Sequence, residues 1–167
     1  NLSAKNLAIP KLVEKIENTI LKRGIFANQL KFELTEYALI KNHKDMIRFV
    51  NELNKLGSQV ILDDFGTGHA SLQHLLNMPI DEIKIDRSFV WTLDNEKSAV
   101  IVDAIVSIAG ICQYHVVAEG IETEEQLEFV RSLKGQEYQG YYYSKALEAD
   151  DLRDLLVEKL QSMDLTA

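Results

Sequence analysis

The sequence predicts an α/β fold, a (β/α)8 barrel of TIM type represented by about five strand-helix units. Three observations lead there. Short apolar runs of strand length alternate with amphipathic stretches of helix length, the rhythm of parallel strands joined by crossover helices. Carboxylates end four of the five candidate strands, at Glu36, Asp64, Asp86 and Glu119, and chemistry gathered at the C-terminal ends of several strands is a barrel trait. Five units fall short of the eight that close a barrel, and no strand precedes Asn1. Residues 1–167 are therefore expected to be one partial domain. Periodicity alone also fits a doubly wound open sheet; the acidic strand ends favour the barrel.

The first helix is expected over residues 10–23, where Leu12, Ile16 and Ile20 recur at helical spacing, and it stops at Gly24. A strand over 30–36 follows, then a helix over 44–56 with Met46, Phe49, Val50 and Leu53 inward and Gly57 at its end. Strands over 59–64 and 82–86 come next. Ile101, Ile105, Ile108 and Cys112 mark one face of a helix over 98–112. After a strand over 115–119, Thr123 and Gln126 have the spacing of a capping box. The last strand is expected over 138–143, and the last helix over about 150–160 with Leu152, Leu155 and Leu156 inward.

Composition narrows the partners. No apolar run reaches the roughly 20 residues of a membrane span, and no signal-peptide pattern opens the chain, so a cytoplasmic segment without membrane contact is expected. A formal net charge of −8 argues against binding a nucleic-acid polymer, which needs a basic stripe. An acidic protein could still take a phosphorylated substrate if divalent cations bridged the two. Cys112, the lone cysteine, is read as a packing residue.

Four segments could carry chemistry. In Ile61-Leu62-Asp63-Asp64-Phe65-Gly66-Thr67-Gly68 a strand runs into two carboxylates and a glycine-rich loop. Successive strand residues face opposite sides, so both carboxylates serve one site only if the backbone turns there; the alternative is a solvated strand end. Alternation puts Lys31, Glu33 and Thr35 on one face, aiming Glu33 into a barrel or leaving it on an exposed polar surface. Lys84 and Asp86 share a face, either as a structural ion pair or with Lys84 polarising a water near metals. Glu119 ends a strand, whereas Glu122 could do no more than favour the next helix N-terminus. Together Glu33, Asp63, Asp64, Lys84 and Glu119 would meet on one rim. Oxygen ligands without a His or Cys cluster suit Mg²⁺ or Mn²⁺. His43, His69, His74 and His115 show no ligand spacing and are assigned no metal. Trp91 and Tyr141, Tyr142 and Tyr143 read as packing residues.

Six segments in order, Asn1-Leu2-Ser3, Glu33-Leu34-Thr35-Glu36, residues 63–68, Lys84-Ile85-Asp86, residues 118–122 and Gln139-Gly140-Tyr141, resemble the EAL domain family. The resemblance implies a two-metal phosphodiesterase that hydrolyses one phosphodiester of cyclic di-GMP to the linear dinucleotide. It implies that Asn1, Glu33 and Asp63 hold one Mg²⁺ or Mn²⁺, with Asp63 bridging to a second held by Asp64. Lys84 and Glu119 would position the attacking water, with Gln139 at its edge. Glu36 would anchor the loop of Gly66, Thr67 and Gly68, and Asp86 and Glu122 would be secondary.

The Glu-Ala-Leu segment that names the family, with its ligand glutamate, matches nothing in residues 1–167 and would lie upstream. Where the family commonly has Tyr-Ser-Ser and Ser-Arg-Pro, this chain has His69-Ala70-Ser71 and Ser144-Lys145-Ala146. An alternative within the resemblance is a sensor module that binds cyclic di-GMP without hydrolysing it. As an isolated piece the chain is expected to be weak or inactive. Its open strand edge predicts a homodimer or association with the missing N-terminal part.

Overall fold

In the computed structural model the described residues are 1–36, 38, 43–67, 75–133 and 137–164. Five strands are present among them: β1 (Lys31–Thr35), β2 (Gln59–Phe65), β3 (Glu82–Ile85), β4 (His115–Glu119) and β5 (Glu137–Gln139). They form one parallel sheet in the order β1-β2-β3-β4-β5. A doubly wound sheet reverses its strand order at a switch point. Here each strand is laid beside its predecessor in one direction, the winding of an incomplete TIM-type barrel.

The helices are α1 (Ala4–Leu7), α2 (Leu12–Arg23), α3 (His43–Leu56), α4 (Arg87–Val90), α5 (Glu96–Cys112), α6 (Glu124–Ser132) and α7 (Ala149–Asp164), with a short 3₁₀ turn over Ala27–Gln29. Gly24 ends α2 in the left-handed conformation, and the Thr123/Gln126 capping box opens α6. Among the described residues no helix is long and apolar enough to cross a membrane.

Alternation splits the sheet into two faces. Leu34, Val60, Leu62, Ile83, Ile85 and Val116 point outward, where Met46, Val50 and Leu53 of α3 and Val102, Ile105 and Ala109 of α5 cover them in one core cluster. A smaller cluster joins Ala118 and Ile121 to Leu127 and Val130 of α6. The opposite face carries Lys31, Glu33, Asp63, Glu82, Lys84 and Glu119. Polar side chains can line it because they pair with one another and because it opens at the strands' C-terminal ends.

Several expectations need correction. β5 stops at Gln139 rather than extending to residue 143. Gly140 passes so close to Ile121 that a Cβ would sit 2.1 Å from the Ile121 carbonyl oxygen, and Tyr143 and Ser144 donate back to the Gly140 carbonyl, making a turn. Ile101 is exposed, because α5 buries the stripe through Val102, Ile105 and Ala109. Cys112 is only partly buried, at the helix end. Leu152 and Leu156 are exposed, since α7 sets this face against no covering element among the described residues. Trp91, Tyr141, Tyr142 and Tyr143 are exposed rather than packed.

Candidate metal centre

The two adjacent carboxylates come together through a break in sheet register. Leu62 pairs with Ile83, but the next pairing of β2 with β3 is Phe65 with Ile85, so two residues of β2 stand opposite one of β3. That is the count of a β-bulge, a device that re-aims side chains at strand ends. Within it Asp64 takes a left-handed φ of 55°, a conformation that Asp tolerates better than most residues. Thr67 holds the turn, donating from Oγ1 to the Asp64 carbonyl at 2.9 Å. Strict alternation would have sent Asp63 and Asp64 to opposite faces. With the bulge, Asp63, Asp64 and Glu119 each bring one carboxylate oxygen within 4.8 Å of the others.

Lys84 stands in the middle of this group. Its ammonium lies 3.1 Å from Glu33 Oε1, 3.2 Å from Asp63 Oδ1 and 2.5 Å from Glu119 Oε1. Burial works against its charge, but hydrogen bonds to Glu119 and Glu33 and the charges of Glu119 and Asp63 outweigh it and raise the Lys84 pKa. Burial pushes Glu119 up; the Lys84 hydrogen bond and charge oppose this, while the charges of Asp63 and Asp64 add to it. Asp64 is also raised, by burial and then by the charges of Asp63 and Asp86, against Lys84 and Arg87. Gln139 Nε2 donates to Glu119 Oε1 at 2.7 Å.

The remaining predicted residues fall around this centre. Leu2 bridges to Leu34 on the free edge of β1, its amide donating to the Glu33 carbonyl at 2.7 Å, so register sets Asn1 beside Glu33. Glu36, buried just beyond β1, accepts from the Gly66 amide at 3.0 Å. Gly66 has φ 99°, and a Cβ there would lie 2.7 Å from the Phe89 ring. Asp86 does not pair with Lys84; it has left the strand to cap α4, accepting from the Ser88 amide at 2.9 Å and from the Ser88 hydroxyl. Glu122 is exposed, and its backbone amide donates to Gln126 Oε1 at 2.7 Å. His115 is exposed at the opposite end of β4. Gly68, His69, Ala70, Ser71 and His74, and the side chain of His43, lie outside the described residues.

The donor set fits a hard divalent cation. Four carboxylates, Glu33, Asp63, Asp64 and Glu119, face one ammonium, an excess of negative charge that partly buried groups do not sustain without cations. Asp63 Oδ1 is buried and, although close to Lys84, accepts no well-formed hydrogen bond. The three converging oxygens come from Asp63, Asp64 and Glu119, whereas Glu33 meets Asp63 and Glu119 through Lys84.

Beside the centre opens a cleft of about 670 Å³ lined by Glu119, Gln139, Arg87, Trp91, Tyr141 and Lys145 among others. The Arg87 guanidinium lies over the Trp91 ring at 5.0 Å, and Trp91 Nε1 donates to the Gly120 carbonyl at 3.1 Å. The sequence reading missed these cation-aromatic walls. The available signal was the spacing of Arg87 and Trp91, four residues apart just past a strand end.

The sequence profile of the EAL domain matches residues 1–146. The cyclic di-GMP phosphodiesterase NbdA of Pseudomonas aeruginosa is 36% identical over 157 residues, covering 93% of this chain and 20% of that protein. The chain spans about a fifth of the length of the curated relatives it matches. Among solved structures, the phosphodiesterase PaMucR in complex with c-di-GMP superposes with a TM-score of 0.87 at 35% identity, over 91% of this chain and 62% of that one. The calcium and cyclic di-GMP complex of Klebsiella pneumoniae BlrP1 gives 0.78 at 28% identity, over 85% and 36%. With a one-way parallel sheet, carboxylates at its strand ends and a profile match over most of its length, the chain belongs to the EAL domain family.

Proposed function

We propose that this domain, completed by the rest of its polypeptide, hydrolyses one phosphodiester of cyclic di-GMP to the linear dinucleotide, using two Mg²⁺ or Mn²⁺ ions. The observation that carries the reading is the meeting of Asp63, Asp64 and Glu119 oxygens within 4.8 Å beside Lys84. The residues that would hold the ions are Asn1, Glu33, Asp63 and Asp64, joined by a further carboxylate where the polypeptide carries the family's Glu-Ala-Leu segment. A bound pair of such ions supplies a low-pKa water and neutralises phosphate charge.

The chain's own groups divide the other tasks. With its pKa raised, Lys84 stays protonated at neutral pH and acts as a fixed cation and donor, not as a base. Glu119 receives both Lys84 and Gln139 on Oε1, which holds the carboxylate in place and leaves Oε2 as the oxygen to accept a water's proton. Burial raises its pKa, which suits it to accept a proton once ionised. Glu36 keeps the Gly66 turn in place and so holds Asp63 and Asp64 where the bulge puts them. Substrate is an intracellular dinucleotide in this reading, so the domain works in the cytoplasm, as a homodimer or joined to the upstream part of its barrel.

The test is an assay of the intact polypeptide with cyclic di-GMP and Mg²⁺ or Mn²⁺. Linear dinucleotide should appear, and Asp63→Ala should abolish it while leaving the fold intact. Tight binding of cyclic di-GMP without turnover by the wild type would establish the sensor reading instead.

A further inference from the structure

On the inner face of the sheet the register lines up Glu33, Ile61 and Glu82 in one row across β1, β2 and β3. Two carboxylates thus flank Ile61 at the same level, and each has taken one lysine. Lys84, two residues beyond Glu82 on the same face of β3, reaches across to Glu33 at 3.1 Å. Lys31, two residues before Glu33 on β1, reaches across in the opposite sense to Glu82 at 2.7 Å. The Glu82 side chain is 9% exposed and that of Lys31 47%. His115, next in the row on β4, is exposed.

Glu82 is therefore a buried carboxylate on Lys84's own strand, near enough in sequence to compete for its ammonium, and the mechanism above makes no use of it. Yet Lys84 pairs with Glu33, which stands across the sheet at Glu82's own level, and with Asp63 and Glu119 nearer the strand ends. A buried carboxylate without a partner is costly and captures any cation in reach. We propose that Lys31 is a positioning residue: by occupying Glu82, it leaves Lys84 directed to Glu33, Asp63 and Glu119. The polarity of the two crossed pairs is what matters. Lys31 touches none of the rim residues and acts through Glu82 alone.

The kinetic part of this inference rests on the phosphodiesterase reading; its metal-binding part does not. The experiment uses the intact polypeptide and compares wild type, Lys31→Met and Lys31→Met/Glu82→Gln. Mn²⁺ affinity is measured by calorimetry without nucleotide, and kcat and KM with cyclic di-GMP. In Lys31→Met the unmasked Glu82 draws Lys84 away from Glu33, Asp63 and Glu119. The rim carboxylates lose their internal cation, so Mn²⁺ should bind roughly threefold or more tightly. At the same time kcat should fall about tenfold or more with KM little changed. Neutralising Glu82 in the double variant removes the competitor and should bring both quantities back to within about twofold of wild type. A merely structural pair predicts that single and double variants weaken Mn²⁺ binding and turnover together, and that result overturns the proposal, as does a Lys31→Met protein that behaves as wild type. Should the methionine variant fold poorly, Glu82→Gln alone keeps the proposal testable: with no carboxylate left to compete for Lys84 it should match wild type in both quantities within about twofold, and a joint loss of Mn²⁺ binding and turnover would overturn the proposal. A wild type that binds Mn²⁺ but never turns over cyclic di-GMP would remove the enzymatic reading while leaving the calorimetric comparison decisive for Lys31.

Discussion

Asp64 combines two features that conflict in most side chains: it brings a carboxylate oxygen to within 4.8 Å of those of Asp63 and Glu119, and it sits at a φ of 55°. Asn keeps the conformational tolerance and loses the charge. Asp64→Asn should therefore leave the bulge and the circular dichroism spectrum unchanged while weakening Mn²⁺ binding at least about tenfold by calorimetry. Asp64→Ala should add a backbone penalty of about 1 kcal/mol in urea unfolding. Farther from the centre, the Tyr114 hydroxyl donates to the Leu75 and Met78 carbonyls at 2.8 and 2.7 Å. Burial, with Cys112 adding to it, pushes its pKa up to about 12 from 10.0. A folded-state pKa above the unfolded one gives stability that is whole below pH 10 and lost as pH rises through 12. Urea midpoints should fall between pH 10 and 12, and Tyr114→Phe should flatten that slope while costing about 1 kcal/mol at neutral pH. The individual site residues were visible in the sequence as residue types. The shared orientation of Asp63 and Asp64 was not, because a bulge is a property of two strands together and alternation along one strand cannot reveal it.

Each strand delivers its functional side chain through the way it ends. β2 ends in the bulge, β3 hands over to the Asp86 cap, and β5 is cut short by the approach of Gly140 to Ile121. That approach holds Gln139 against Glu119, with the Ile121 amide donating to the Gln139 carbonyl at 3.1 Å. Gly140→Ala would place a carbon where backbone already lies. We expect a loss of about 1 to 3 kcal/mol in thermal unfolding, together with a displaced β5 end in a crystal structure. An unchanged melting temperature would show that the loop relaxes freely. At this scale the strands β1 to β4 and the helices α2, α3 and α6 were legible, because their apolar periods coincide with the faces they bury. The errors at β5 and α7 are of one kind, whereas at α5 the helix was legible and only Ile101 was put on the wrong stripe. A run of Tyr141, Tyr142 and Tyr143 has strand propensity, and Leu152 and Leu156 have helical spacing, but propensity says nothing about whether a covering surface exists.

Among the described residues, five parallel strands in unbroken order leave the outer edges of β1 and β5 without a further strand, with Leu2 bridging the first edge. Leu152, Leu156 and Leu160 of α7 add an exposed apolar row. A polypeptide of residues 1–167 alone should associate or bind a hydrophobic dye in sedimentation and fluorescence measurements. A longer polypeptide that closes the barrel should do neither. A dye-free, stable monomer of the short form would show that these surfaces are self-sufficient. By itself the sequence determined the alternation of strands and helices, the oxygen-rich chemistry and the family, since these depend on residue types in chain order. Only the tertiary structure decided that Asp63 and Asp64 share a face, that Lys84 answers to Glu33, Asp63 and Glu119 rather than Asp86, and that Lys31 occupies Glu82. Ion pairs depend on distances between strands, and those are fixed by sheet register, which no single stretch of chain contains.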